Sequence, residues 1–319
     1  MGLTSRVPRL LARLGFLLAV LAGAPVAVLP MAMPAAAQSS VKTIALKDGS
    51  SVAYREAGSG PRTIILVHGW SFDHRLWDKV IDRFPPGHRV IAYDLRGFGQ
   101  SSKPASGYDF PGFVSDLAGL MEALRIEKAV LSGHSLGSFF IQDFAARYPE
   151  KVEALILTAP QPRTTALQLS DPLKAFVQRL DSLPKQDANG PEWRAFFAQN
   201  SPRYFMPENL ASGDVERFVA QNVLAHPAAL VEGFRVAFEA PALAKDHAGT
   251  RLPTLVVYGT HDIVPFPAVR QIATDYTASC VAVIERAGHT PPWEKPDAWL
   301  ARVTGLIARL GEAGQGACR

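Results

Sequence analysis

Three side chains of the sequence, Ser135, Asp262 and His289, could together cleave an acyl bond. A serine hydroxyl is a weak nucleophile until a base removes its proton, and a histidine base needs a carboxylate to orient its ring. We therefore predict that Ser135 is the nucleophile, that His289 is the base and that Asp262 is the acid that orients the base.

Ser135 lies in the pattern Gly-His-Ser-Leu-Gly at residues 133–137, directly after the apolar run 129–131. An amphipathic stretch follows at residues 139–148. A strand, a sharp turn and a helix in this order are typical of a turn that presents a nucleophile. The backbone of such a turn is strained, and its two glycines lack the Cβ atoms that would crowd it. Because the pattern is short, its meaning depends on the partners that the rest of the chain supplies.

Both predicted partners of the serine follow segments that read as strands. Asp262 comes just after the apolar run 254–258, and His289 comes after the last predicted strand, 281–285. The carboxyl ends of parallel strands meet at one edge of a sheet, so side chains placed there can converge. The sequence therefore predicts that the three groups meet at that edge.

Other polar residues near these positions have alternative interpretations. His261 adjoins the predicted acid and is a rival base, whereas His134 should point away from Ser135 because neighbours at a tight turn diverge. His68 is expected to brace its loop. Asp94 opens a glycine-rich turn and could be a rival acid, but a structural role in that turn is favoured.

An oxyanion hole needs two backbone N–H groups close to the nucleophile. The residue after the nucleophile, Leu136, should supply one of them. We expect the other from Trp70, in the loop that follows an early predicted strand, because Gly69 lets the backbone approach.

The segments that must position these groups alternate between strand and helix. This alternation predicts an α/β fold class, with a mostly parallel sheet that is covered by helices on both faces. Residues 161–251 contain no convincing strand and predict a helical cap inserted into a core of residues 38–160 and 252–319. An Asp-Gly pair between two extended runs predicts a hairpin at residues 43–56, and residues 77–84 have helical spacing.

The first 37 residues have the pattern of a signal peptide. Arg6, Arg9 and Arg13 precede an uncharged run that ends in Ala35-Ala36-Ala37. We expect cleavage after Ala37 and a secreted or periplasmic protein without a stable membrane anchor. The alternative is an uncleaved anchor, since the run is long enough to span a bilayer, although prolines interrupt it.

Composition narrows the classes of partner. Apolar residues make up 48% of the chain and charged residues 19%, as in globular proteins with a sizeable core. Cleavage would remove three of the 33 basic residues and none of the 29 acidic ones, leaving a net charge of +1. A nearly neutral protein has no electrostatic attraction to nucleic acid, so no such partner is expected.

Cofactors and metals are not indicated. The sequence contains no His-Glu-x-x-His motif, no phosphate-binding Gly-Lys-Ser/Thr and no cysteine cluster. The two cysteines, Cys280 and Cys318, could pair in an oxidising compartment or stay unpaired.

The motifs together resemble the α/β-hydrolase fold superfamily over about residues 41–310, most of all its esterase, lactonase and cofactor-free haloperoxidase branch. The resemblance implies the same triad and the same oxyanion hole. Two of its known variants use aspartate where Ser135 stands, so haloalkane dehalogenase and epoxide hydrolase activities are not expected. Ser138 departs from the family, since many relatives have a second glycine there. The motifs that carry the resemblance are Val67-His68-Gly69-Trp70, residues 93–102, residues 133–137, residues 259–262 and Gly288-His289.

The expected activity is cleavage of small-molecule carboxylic esters or lactones through an acyl-enzyme. Perhydrolysis of the haloperoxidase type and C–C bond hydrolysis would use the same triad, and a ligand-binding protein of the same fold with negligible turnover is a non-enzyme alternative. A few aromatic residues of the cap are expected to line an apolar pocket, which favours an apolar acyl or aromatic substrate. The aromatic residues of the cap are Phe176, Trp193, Phe196, Phe197, Tyr204, Phe205, Phe218, Phe234 and Phe238.

Overall fold

An eight-stranded sheet forms the centre of the computed structural model, which describes residues 40–161, 171–239 and 251–310. The strand order is β1-β2-β4-β3-β5-β6-β7-β8. Every neighbouring pair from β4 to β8 is parallel, and β1 and β2 add an antiparallel hairpin at one edge. The strands are β1 (Lys42–Ala45), β2 (Ser51–Ala57), β3 (Arg62–Val67), β4 (His88–Tyr93), β5 (Ala129–His134), β6 (Val152–Thr158), β7 (Thr254–Gly259) and β8 (Ser279–Ile284).

Helices connect most of the parallel strands, so the predicted α/β class is confirmed. They are α1 (Phe110–Ala123), α2 (Leu136–Arg147), α3 (Asp171–Asp181), α4 (Pro191–Asn200), α5 (Asp214–Asn222), α6 (Pro227–Glu239), α7 (Phe266–Thr274), α8 (Pro291–Glu294) and α9 (Pro296–Arg309). None of the helices in the described ranges is both long enough and apolar enough to cross a membrane.

The inner strands are buried along their length. In β3, residues 64–67 have no exposed surface, and all six residues of β5 are buried. Strands covered on both faces are recognised by continuous apolar runs rather than by alternation. The predicted hairpin is also present: Lys42 pairs with Tyr54 across the turn, and Gly49 has a φ of +83°.

The predicted helix at residues 77–84 is wrong. Two 3-10 turns occur there instead, His74–Trp77 and Ile81–Arg83. Phe84 is extended because it precedes a proline, which disfavours the helical conformation of the residue before it. The intervening Val80 has a φ of −129°, so the two turns do not join.

The chain between β6 and β7 leaves the sheet. Its described part, residues 171–239, contains helices α3 to α6 and no strand. The boundaries proposed for the cap, the signal peptide and the core stay predictions, since residues 1–39, 162–170 and 240–250 lie outside the described residues. Cys318, the possible partner of Cys280, also lies outside them.

Candidate active site

Ser135 stands at the sharp turn between β5 and α2. Its φ of 49° and ψ of −117° are unusual for a residue with a side chain. Its N–H donates to the Thr158 carbonyl over 2.9 Å, and its carbonyl accepts both the backbone N–H of Ser138, at 2.9 Å, and the Ser138 hydroxyl, at 2.5 Å. Ser138, which departs from the family pattern, therefore fixes the carbonyl of the strained Ser135 with two hydrogen bonds.

The two glycines of this turn allow close approach of other backbone. A Cβ on Gly137 would lie 2.4 Å from the His68 carbonyl oxygen and 2.5 Å from that of Val67. A Cβ on Gly133 would lie 2.6 Å from backbone atoms of Gly137. Neither obstacle is a flexible side chain, so α2 can begin against β3 only if these positions lack a Cβ.

We expect Gly137→Ala to lower the free energy of unfolding by about 3 kcal/mol, because the new methyl group must displace two backbone carbonyls. Gly233→Ala in α6 is the matched control. Among the described residues its Cβ would meet only the ring of Phe113, at 3.8 Å, so the better helix former should raise stability by up to about 1 kcal/mol. Urea unfolding of both variants measures the difference, and equal stabilities would contradict the prediction.

The three residues predicted to act together form one hydrogen-bonded series. His289 Nε2 lies 2.9 Å from Ser135 Oγ, and His289 Nδ1 lies 2.7 Å from Asp262 Oδ1. The His289 and Asp262 side chains are 2% and 0% exposed, so the pair is shielded from water. An ionised carboxylate can only accept, which places the proton on Nδ1 and leaves the Nε2 lone pair facing the serine hydroxyl.

The loops that carry these residues follow β5, β7 and β8, which lie in one parallel part of the sheet. Val264 N–H also donates to Asp262 Oδ1, over 3.0 Å, and so fixes the acid within its loop. The arrangement matches the geometry in which a histidine removes a proton from a serine.

The loop after β3 approaches the serine as the sequence suggested. A Cβ on Gly69 would lie 3.0 Å from the Cβ of Ser135. Neither the Trp70 nor the Leu136 backbone N–H donates a hydrogen bond to an acceptor in the described part of the chain. The indole of Trp70 donates to the Leu230 carbonyl over 2.7 Å and thereby joins this loop to α6.

His134 has a role that the sequence did not indicate. Its Nε2 donates to the His289 carbonyl over 2.8 Å, and the two ring centroids are 5.1 Å apart. The residue before the serine therefore holds the loop of the histidine opposite the serine. Complete burial, reinforced by the nearby His289, holds the pKa of His134 well below its ordinary value.

Because the pKa of His134 is depressed in the folded protein, the stability of the fold should decrease as the pH falls. Below about pH 6.5 the unfolded chain binds a proton at His134 that the folded chain does not, so folded stability is lost as the pH falls. His134→Gln should be less stable than the wild type at pH 7.5, with a gap that narrows by up to about 1.4 kcal/mol per pH unit below pH 6.5. Urea unfolding at pH 7.5, 6.5 and 5.5 checks this, and a gap that widens on acidification would contradict it.

His68 and Asp94 are engaged in bracing loops. His68 donates from Nδ1 to the Gly69 carbonyl over 2.8 Å and accepts the Leu95 N–H at Nε2 over 2.9 Å. Asp94 accepts from the backbone and the ring of His74, both at 2.7 Å, and from Gln100 N–H at 2.8 Å. The Asp94 carboxylate therefore binds His74 and the backbone of the turn rather than orienting His289.

A buried group of Asp73, His74 and Asp94 has ligand atoms within 4.8 Å of one another, close enough for an ion. Asp73 already accepts three hydrogen bonds from the Arg75 guanidinium, and Asp94 Oδ1 is occupied by His74. These contacts account for both carboxylates without a metal.

Aromatic side chains stand around the histidine and the loop after β3. The Tyr204 ring lies 6.0 Å from the His289 ring and 5.8 Å from that of Phe72. Phe218 of α5 packs on both Tyr204 and Phe72, at 5.2 and 5.3 Å. The insertion therefore places apolar surface next to the triad.

The chain belongs to the α/β-hydrolase fold family, whose model matches residues 62–296. This membership supports a hydrolase that acts on a small molecule.

The relatives differ from one another in the activity for which they are named. A non-heme chloroperoxidase of Synechocystis, named as putative, is 40% identical over 113 residues, which are 35% of this chain and only 41% of the relative. A pimeloyl-[acyl-carrier protein] methyl ester esterase of Pectobacterium carotovorum is 27% identical over 80% of this chain and 97% of its own length. The solved structure of a thermophilic esterase from Thermogutta terrifontis is 25% identical, with a TM-score of 0.71 over 85% of this chain and 99% of that chain.

Proposed function

We propose that the protein is an exported serine hydrolase that cleaves carboxylic esters or lactones through an acyl-enzyme. The observation that carries this proposal is the series of short contacts from Asp262 through His289 to Ser135. Esterases among the relatives support the same reaction class.

Acylation begins when Ser135 Oγ attacks the carbonyl carbon of the substrate and His289 Nε2 takes the hydroxyl proton. The carbonyl oxygen becomes negatively charged and accepts from the N–H groups of Trp70 and Leu136. Collapse of this intermediate breaks the bond to the alcohol, which receives the proton from His289. Asp262 stabilises the imidazolium while it exists.

Deacylation repeats these steps with water as the nucleophile. His289 takes a proton from the water, the hydroxide attacks the acyl carbon, and the proton returns to Ser135 as the carboxylic acid leaves. A lactone would be opened in the same way, with the alcohol remaining attached to the product.

The proposed substrate has an apolar acyl or aromatic part. Tyr204 packs against the His289 ring, and Phe72 and Phe218 pack against Tyr204. Trp70 packs on Phe234 with ring centroids 4.9 Å apart. Aromatic surface of this kind favours apolar groups in the neighbouring space. Export is proposed from the basic and apolar pattern of residues 1–37 alone.

A substrate panel tests the proposal. Aryl esters of increasing acyl length, lactones and diketones should be incubated with the mature protein, with and without hydrogen peroxide. We expect turnover of esters or lactones without peroxide and a preference for apolar acyl groups. Turnover of diketones alone would contradict the ester and lactone assignment.

Perhydrolysis is a second candidate, favoured by the relative named as a non-heme chloroperoxidase. Peroxide would replace water in deacylation and release a peracid. Faster consumption of the ester with peroxide, together with peracid formation, would identify this activity. Tight binding with negligible turnover across the whole panel would instead support a ligand-binding protein of this fold.

A further inference from the structure

Glu294 is a buried carboxylate without a cation among the hydrogen-bond partners that the described residues provide. It is only 6% exposed. Five donors face its two oxygens: three from the loop that carries His289 and two from the segment that follows α4. Removing an ionised carboxylate from water is costly unless hydrogen bonds replace the lost hydration, and these donors replace it.

On one side, the carboxylate holds the histidine loop, residues 285–290. Gly288 N–H lies 3.0 and 3.1 Å from the two oxygens, and Thr290 N–H donates to Oε1 over 3.1 Å. The single hydroxyl proton of Thr290 has two acceptors at 3.0 Å, Oε1 and the Tyr204 carbonyl. Gly288 and Thr290 flank His289. The histidine is therefore positioned from both sides by one side chain.

On the other side, the carboxylate holds the segment 204–209, which belongs to the insertion. Met206 N–H donates to Oε2 over 2.9 Å, and Asn209 Nδ2 donates to the same atom over 3.1 Å. Asn209 also donates to the Arg286 carbonyl, at 2.6 Å. At the other end of the segment, the Tyr204 carbonyl accepts the His289 N–H over 3.1 Å.

We propose that Glu294 is a positioning residue that locks the histidine loop to the segment 204–209. His289 is then held opposite Ser135 only while the segment 204–209 keeps its contacts with Glu294. Movement of this part of the insertion therefore controls the position of the catalytic base. The catalytic consequence rests on the proposed function, whereas the lock itself does not.

Glu294→Gln is the direct test, because glutamine keeps the shape but turns one acceptor into a donor. Whichever way the amide faces, an NH2 group meets backbone N–H donors. We expect hydrogen exchange to become about ten-fold faster in both segments, 285–290 and 204–209, as hydrogen bonds to each are lost. We also expect kcat for an aryl ester to fall about 100-fold, since a displaced base costs rate, while KM changes little.

Two further variants sharpen the result. Glu294→Asp keeps an acceptor-only carboxylate and should recover part of the lost kcat. Asn209→Ala leaves Glu294 in place but removes the donor to both Oε2 and the Arg286 carbonyl, so it measures the contribution of a bond between the two segments that does not pass through Glu294. If Glu294→Gln does not fold, Glu294→Asp keeps the test decisive, because the shorter side chain cannot reach all of the donors and exchange should still become faster in both segments; unchanged exchange in either segment would overturn the proposal. Glu285→Gln, an exposed acid of the same loop, is the control and should change neither exchange nor kcat.

Faster exchange in only one segment, or unchanged kcat in a folded Glu294→Gln protein, would overturn the proposal. The proposed function can fail separately: a wild-type protein that neither turns over esters nor reacts with a fluorophosphonate would refute the serine hydrolase. The exchange experiment would still decide whether Glu294 joins the two segments.

Discussion

Ser135→Ala is expected to lower kcat for an aryl ester by about 10⁶-fold, the size of effect seen when serine hydrolases lose their nucleophile. The hydroxyl is the only group of the series that can form the acyl-enzyme, and its Oγ lies 2.9 Å from the predicted base. Loss of one oxygen at a position that is 7% exposed should leave the fold intact. Steady-state kinetics and circular dichroism of the purified variant check both parts.

Ser132→Ala is the matched control for this variant. Ser132 is a buried serine of β5, three residues before Ser135, and its Oγ has no hydrogen-bond partner in the described part of the chain. Its removal should leave kcat close to that of the wild type. A Ser135→Ala protein that retains more than about 1% of the wild-type kcat would contradict the role of Ser135.

Asp262→Asn should lower kcat by about 10⁴-fold with little change in structure. The carboxylate now accepts the proton of His289 Nδ1 over 2.7 Å. An asparagine amide can donate to Nδ1 instead, which would move the ring proton to Nε2 and turn the lone pair away from Ser135. The imidazolium formed during the reaction would also lose its counter-charge.

The comparison for this variant is Asp297→Asn, whose side chain is 86% exposed at the start of α9. Both variants remove one negative charge, but of the two aspartates only Asp262 is hydrogen-bonded to His289. We expect the Asp297 variant to keep the wild-type kcat. An Asp262→Asn enzyme that is less than about ten-fold impaired would mean that another group orients the base.

The parallel strands could be predicted because buried strands have apolar runs that can be recognised in the sequence. β3, β5 and β7 each contain a continuous apolar run, which is followed by polar residues that the sheet brings to one edge. The short segment at residues 77–84 could not be predicted in the same way. Its helical spacing is real, but backbone restriction before a proline and the non-helical φ of −129° at Val80 stop a regular helix.

The candidate site was predictable only where a residue type has a chemical meaning of its own. Ser135, Asp262 and His289 stand out because their order and their places after strands point to one reaction. His134 and Glu294 did not stand out, because their partners are backbone groups that come together only in the folded chain. A carboxylate that accepts from Met206 and Gly288 has no sequence pattern, since the two lie 82 residues apart.

The most direct test of Ser135 as the nucleophile is covalent labelling with a fluorophosphonate followed by peptide mapping. The reagent reacts with serines that a neighbouring base activates. We expect one adduct, located on Ser135, in the wild-type protein and none in the Ser135→Ala protein. An adduct on another residue, or labelling that persists after Ser135 is replaced, would contradict the assignment of the nucleophile.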